Sequence, residues 1–174
     1  MARQQFELPP VLQAIATRAD KRAPMDLHTR IYVDAASGLA GDAHRKPGRA
    51  QVSIVSAEKW ADACAALGAD LPWTLRRANL LVSGVPLEPV VGKRLSIGSL
   101  MLEVTMETDP CERMDEQHAG LKRALETDAR GGVRCRIVQS GWIGVGDPVR
   151  WPPDEEPGEA GLRRWQSEGG FGQR

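Results

Sequence analysis

The apolar stretches of this chain are short, and that limits the fold more than any other feature. Val52 to Val55, Leu80 to Ser83, Arg94 to Ile97 and Leu100 to Met106 each run only a few residues before glycine, proline or a polar residue intervenes. Val11 to Thr17, Ile31 to Val33 and Val133 to Gln139 bring the count to at least seven such stretches. With 18 glycines and 12 prolines in 174 residues, turns recur along the whole chain. Short strands joined by glycine turns point to a mainly β fold, a mostly antiparallel barrel with a few helices on its flank.

Two segments break the β pattern. Ser56 stands at an N-cap position with Glu58 in the first turn, where a carboxylate suits the helix dipole. Ala57, Trp60, Cys64 and Leu67 then repeat at helical spacing, and Gly68 ends the run. A second helix is expected over Asp115 to Glu126, with Met114, His118, Leu121 and Leu125 on one face. RADKRAPM reads as a charged loop, Ser37 to Gln51 as a glycine-rich loop, and Gly141 to Asp147 as β-turns between strands. Gly98-Ser99 makes a hairpin link. Residues 1–151 are expected to form one domain and residues 152–174 a mobile tail, with a short helix near Leu162 to Trp165.

Formal net charge is zero, so there is no basic excess to neutralise nucleic acid or an anionic membrane. No apolar run reaches the roughly eighteen residues of a membrane span, and MARQQFELPP lacks the apolar segment of a signal peptide. A cytoplasmic location is the expectation. The three cysteines are far apart and form no CxxC or Cys/His cluster, which argues against zinc and suits free thiols in a reducing compartment. Cys64, on the apolar face of the first helix, and Cys135, alternating with Arg134 and Arg136, read as packing.

Cys111 differs. It follows Pro110 where the run LMLEVTM stops, and Arg113 lies two residues on. A cysteine so placed can be exposed and electropositive at once, the setting that stabilises a thiolate; the alternative is a small apolar residue filling a gap. Arg76, Arg77 and Asn79 lead into a strand and either offer a fork of donors to a phosphate or are simply exposed. Asp42 either serves a site or bonds backbone N–H groups in its turn. His44 faces a cleft or solvent, and the neighbouring Arg45, Lys46 and Arg49 are solvated or bind an anion. His118 is a helix-face histidine near the core, with a supporting role to Cys111 as the other reading.

In order along the chain, Gly38-Leu39-Ala40-Gly41-Asp42-Ala43-His44, Arg77-Ala78-Asn79-Leu80-Leu81-Val82-Ser83-Gly84, Leu95-Ser96-Ile97-Gly98, Pro110-Cys111 and Gly144-Val145-Gly146-Asp147 resemble the MOSC domain, named for the C-terminal domain of molybdenum cofactor sulfurases. The resemblance spans roughly residues 11–150. It implies a barrel-like β fold, a molybdenum cofactor (molybdopterin), and a functional Cys111 that either ligates the metal or carries sulfur. Arg77 and Asn79 match positions that contact the pterin or phosphate end, with Arg76 beside them. Asp42 and His44 match a Gly-Asp-Arg-His motif, in which Ala43 here replaces the arginine. Arg113 would help balance the anionic cofactor.

Three readings follow from the resemblance. The first is an oxidoreductase that reduces N-hydroxylated small molecules. Having no iron–sulfur cysteine set, it would take electrons from a donor protein. The second is a sulfur carrier, with a persulfide on Cys111, or a cofactor carrier without turnover of its own. The third is a domain that keeps only the fold. The length leaves no room for a pyridoxal domain, so a full cofactor sulfurase is not expected.

Overall fold

The computed structural model describes residues 9–87 and 91–151. The expected tail, residues 152–174, lies outside the described residues. Eleven strands and three α-helices are described, and the strands are as short as the sequence implies. The longest is β8, Leu100–Glu107.

Eight strands form one sheet. From edge to edge they are β11 (Val149–Arg150), β7 (Arg94–Ile97), β8, β9 (Val133–Gln139), β5 (Val52–Ser56), β6 (Leu80–Val82), β1 (Leu12–Thr17) and β2 (Asp26–His28). A smaller sheet orders β10 (Gly141–Gly144), β3 (Arg30–Asp34) and β4 (Gly38–Leu39). All pairs are antiparallel except β5 with β6. A parallel pair needs a crossover, and α1 (Ala57–Leu67) supplies it.

The large sheet curls until its β11 edge meets the start of β1, the strand next to the other edge. Leu12 N–H donates to the Asp147 carbonyl at 2.9 Å, Gly146 N–H to Leu12 at 2.8 Å, and Val149 N–H to Pro10 at 2.9 Å. The expected barrel is therefore barrel-like and incompletely closed. Ile31, Val33 and Leu39 of the small sheet share one apolar core with Leu12, Ile54, Leu102 and Val104 of the large one.

The three helices keep a second core. Trp60 and Ala63 of α1 pack with Met114 of α2 (Glu112–Gln117) and with Leu121 and Leu125 of α3 (Leu121–Glu126). The capping of α1 follows the sequence: the Ser56 hydroxyl accepts from Lys59 N–H, and Gly68 takes the left-handed conformation. The expected single helix over Asp115 to Glu126 is two helices. The chain leaves the helix at His118 (φ −157°) and Gly120 sits at φ +86°, a conformation glycine takes without a steric penalty. Three further departures concern short elements. β2 lies just beyond the charged loop, where no strand was expected, β4 lies inside the glycine-rich loop, and the turns expected at Gly141 include a true strand, β10. All three gain their partners from β1 or β3, which local sequence cannot reveal.

Candidate functional site

Where β1 ends, Arg18 begins the first wall of a cleft. The Asp42 carboxylate is buried and accepts from Arg18 N–H at 3.0 Å and from His44 N–H at 3.1 Å. Ala43 N–H donates to the Arg18 carbonyl at 2.7 Å. Gly-Asp-Ala-His thus fastens its loop to the end of β1. Asp42 bonds backbone N–H groups, as the simpler reading held, and it does so at the cleft wall.

The two consecutive arginines part company for a backbone reason. A 3-10 turn over Trp73–Arg76 ends with Arg77 at φ +60°, ψ +30°. Arg76 turns inward, and its Nε donates to the Gly131 carbonyl at 2.7 Å. Arg77 stays half-buried, and its Nη2 donates to the Ala23 carbonyl at 2.7 Å. Its own carbonyl accepts from Arg18 Nη1 at 3.3 Å. Of the two, Arg76 is not the exposed arginine one reading allowed: only 7% of it is accessible. Asn79 clamps three strands, accepting from Ser53 N–H at 3.1 Å and donating to the Ala16 carbonyl at 3.2 Å.

Cys111 comes from the opposite side. It is exposed, precedes α2, and its carbonyl accepts from Met114 N–H at 2.9 Å. Met114 anchors that turn in the helical core, and Gln117 Nε2 donates to the Leu75 carbonyl at 2.7 Å. Together these contacts hold the thiol over the arginine turn. Arg113 pairs with Glu116 at 3.2 Å, and Glu116 also reaches Arg22 at 3.7 Å.

These residues enclose a cavity of about 260 Å³. Seven of the residues weighed from the sequence line it, Asp42, His44, Arg76, Arg77, Asn79, Cys111 and Arg113, whereas Arg45, Lys46 and Arg49 do not. His118 does not; it ends α2. Cys64 is half-buried and Cys135 fully buried, away from this cavity. Sequence reasoning missed Arg18, Lys21 and Ser53, and it read Arg134 only as an alternating strand residue. Nothing local marks them, because they reach the cleft from the loop after β1, from β5 and from β9.

The cleft is electropositive. Six cationic side chains line it, Arg18, Lys21, Arg76, Arg77, Arg113 and Arg134, against the single carboxylate of Asp42. Four nitrogens, Arg18 Nε, Arg76 Nη2, Arg77 Nε and Arg113 Nε, are buried without a hydrogen-bond partner. Burial pushes the Arg76 guanidinium down to about 10, the neighbouring Arg134 and Arg18 add to this, and Cys111 opposes it. Arg77 is lowered by burial first and then by Arg18 and Arg113. Buried donors are ordinarily satisfied, and four guanidinium nitrogens on arginines of one cavity are not; such nitrogens are donors from which an anion can accept.

The MOSC domain family model matches residues 39–150. The chain belongs to the MOSC domain family. That family is linked to molybdenum cofactor binding, and the matched span takes in every site residue singled out from the sequence, while Arg18 and Lys21 precede it. Among solved structures, the YuaD protein of Bacillus subtilis is 21% identical with a TM-score of 0.70, covering 82% of this chain and 94% of that one. YiiM of Geobacillus stearothermophilus is 13% identical with a TM-score of 0.63, covering 92% and 83%. YiiM of Escherichia coli is 12% identical with a TM-score of 0.61, covering 83% and 70%. At these identities the likeness is one of fold. No curated protein sequence matches the chain. Among the described residues, no helix is long and apolar enough to cross a membrane.

Proposed function

We propose that the chain binds the molybdenum cofactor in this cleft and reduces N-hydroxylated compounds, with Cys111 as the protein ligand to the metal. The observation that carries this reading is the set of orphaned guanidinium nitrogens on arginines that line the same cavity as Cys111. They fit the anionic phosphate end of the cofactor, and a thiolate fits molybdenum, which favours soft sulfur ligands. Among the described residues, no three His, Cys, Asp or Glu gather to hold a bare ion. A metal that brings its own ligands and takes one thiolate suits such a site.

Arg76, Arg77 and Arg18 bind the phosphate and fix the cofactor's orientation. Asn79 and Asp42 keep those arginines in place by tying β1, β5 and the motif loop together. Cys111 sets where the metal sits, and Arg113 balances its charge. When bound, the cofactor supplies the two-electron, oxygen-removing chemistry. Overall an N–OH group, two electrons and two protons become N–H and water, with the electrons delivered by a donor protein.

The exposure of Cys111 also favours a second reading, a sulfur carrier with a persulfide on the same thiol or a cofactor carrier without turnover. Molybdenum analysis of wild type beside Cys111→Ala tests the first. Near-stoichiometric metal lost in the variant is expected. Metal retained in the variant refutes the ligand assignment. Metal-free wild type from a cofactor-competent host, carrying cyanide-labile sulfur instead, selects the second.

A further inference from the structure

Two strand arginines show how the cleft differs from ordinary surface. Arg134 and Arg136 both project outward from β9. Arg136 stands opposite Glu103 on β8 and pairs with it at 3.1 Å. Arg134 stands opposite Met106 on β8 and Ser53 on β5, so no carboxylate faces it across either strand. It points instead into the cleft, alongside Arg76, whose charge it opposes. Like charges held together without a counter-charge are unfavourable, and a bound anion relieves them.

Arg113 has its own carboxylate in Glu116, and the other five cations of the cleft divide into two sets. Arg18, Arg76 and Arg77 are rooted by bonds to backbone carbonyls, and each has a buried nitrogen free. Arg134 and Lys21 are exposed side chains of the same cleft, and no carboxylate among the described residues pairs with either. Asp42, the one carboxylate present, already accepts from two backbone N–H groups. An anion bonded to the three rooted arginines eases the repulsion on Arg134 but leaves Arg134 and Lys21 without a bonded counter-charge of their own.

We propose that the substrate is itself an anion, an N-hydroxylated compound bearing a carboxylate that Arg134 receives with help from Lys21. This rests on the reductase reading, and it assigns Arg134 the choice between charged and uncharged substrates. A guanidinium–carboxylate contact in a partly solvated cleft corresponds to a preference of about tenfold or more.

The test uses molybdenum-loaded protein, reduced viologen as electron donor, and two substrates, benzamidoxime and 4-carboxybenzamidoxime. Wild type is expected to favour the carboxylated compound by about tenfold in kcat/KM, with the difference residing in KM. Arg134→Gln brings the ratio close to one while molybdenum content holds. Arg136→Gln, paired elsewhere on the same strand, leaves the ratio as in wild type. Equal rates in wild type, a preference that survives Arg134→Gln, or loss of molybdenum in Arg134→Gln each overturn the assignment. If loaded wild type reduces neither compound, the reductase reading fails, and calorimetric binding of the same pair decides the anion site. A tenfold tighter carboxylated compound that loses its advantage in Arg134→Gln upholds it; equal affinities refute it.

Discussion

Replacing Arg76 by methionine separates what the fold needs from what the ligand needs. The guanidinium is buried, and burial with neighbouring arginines brings its ionisation down to about 10, where an ordinary arginine lies above 12. At about 1.4 kcal/mol per pH unit, keeping the charge in the folded, ligand-free cleft costs about 3 kcal/mol. Against this stands one charge-assisted bond, Nε to the Gly131 carbonyl at 2.7 Å, which contributes about 1.5–3 kcal/mol. Methionine fills similar length with an adaptable apolar chain and removes both terms. Cofactor-free Arg76→Met is therefore expected to equal wild type or exceed it by up to about 1–2 kcal/mol in urea unfolding at matched m-values. Protein from a cofactor-competent host is expected to retain far less molybdenum. A cofactor-free variant destabilised by more than about 2 kcal/mol would refute the reasoning, because it would make Arg76 a structural residue.

Three more outcomes follow from the same contacts. Asp42→Asn replaces a carboxylate that accepts from Arg18 N–H and His44 N–H, so thermal unfolding should show a loss of about 2–4 kcal/mol, together with weaker cofactor retention as the loop loosens. Burial pushes the Cys135 thiol far up, whereas an unfolded thiol ionises near 8.5. Above that pH the unfolded chain has lost a proton that the folded chain keeps. Stability attributable to Cys135 is thus intact below about pH 8.5 and falls by about 1.4 kcal/mol per pH unit above it. Urea unfolding of wild type and Cys135→Ala between pH 8 and 10.5 should show that extra slope only in wild type. Finally, Gly132→Ala places a Cβ 2.0 Å from the Ile54 carbonyl oxygen at φ +85°. Soluble folded protein should be nearly lost, or destabilised by more than about 3 kcal/mol; a wild-type melting curve would contradict that packing.

Much of the local structure was legible because its causes are local. The Ser56 hydroxyl and Gly68 mark the ends of α1 within one turn of the groups they bond. Alternation along β9 placed Cys135 inward and Arg134 outward. Cys111 stood out because proline, a strand end and an arginine surround it in sequence. The helix break at His118 and Gly120 was less visible, since the apolar spacing of Met114, Leu121 and Leu125 carries on across it.

By itself, then, the sequence determined the short strands, the capped helix, the ordered family motifs and the chemical identity of the thiol and its arginines. Only the tertiary structure decided which of those arginines are buried and what they face. Arg18 arrives from β1, Arg76 and Arg77 from a turn before β6, Arg113 from α2 and Arg134 from β9. Their shared cavity exists because β5, β6 and β1 lie side by side while the helices pack a separate core above them. Periodicity and capping act over one or two turns of chain, whereas convergent charge depends on contacts between residues scores of positions apart. A chain of zero net charge can in this way hold six cations around one cavity.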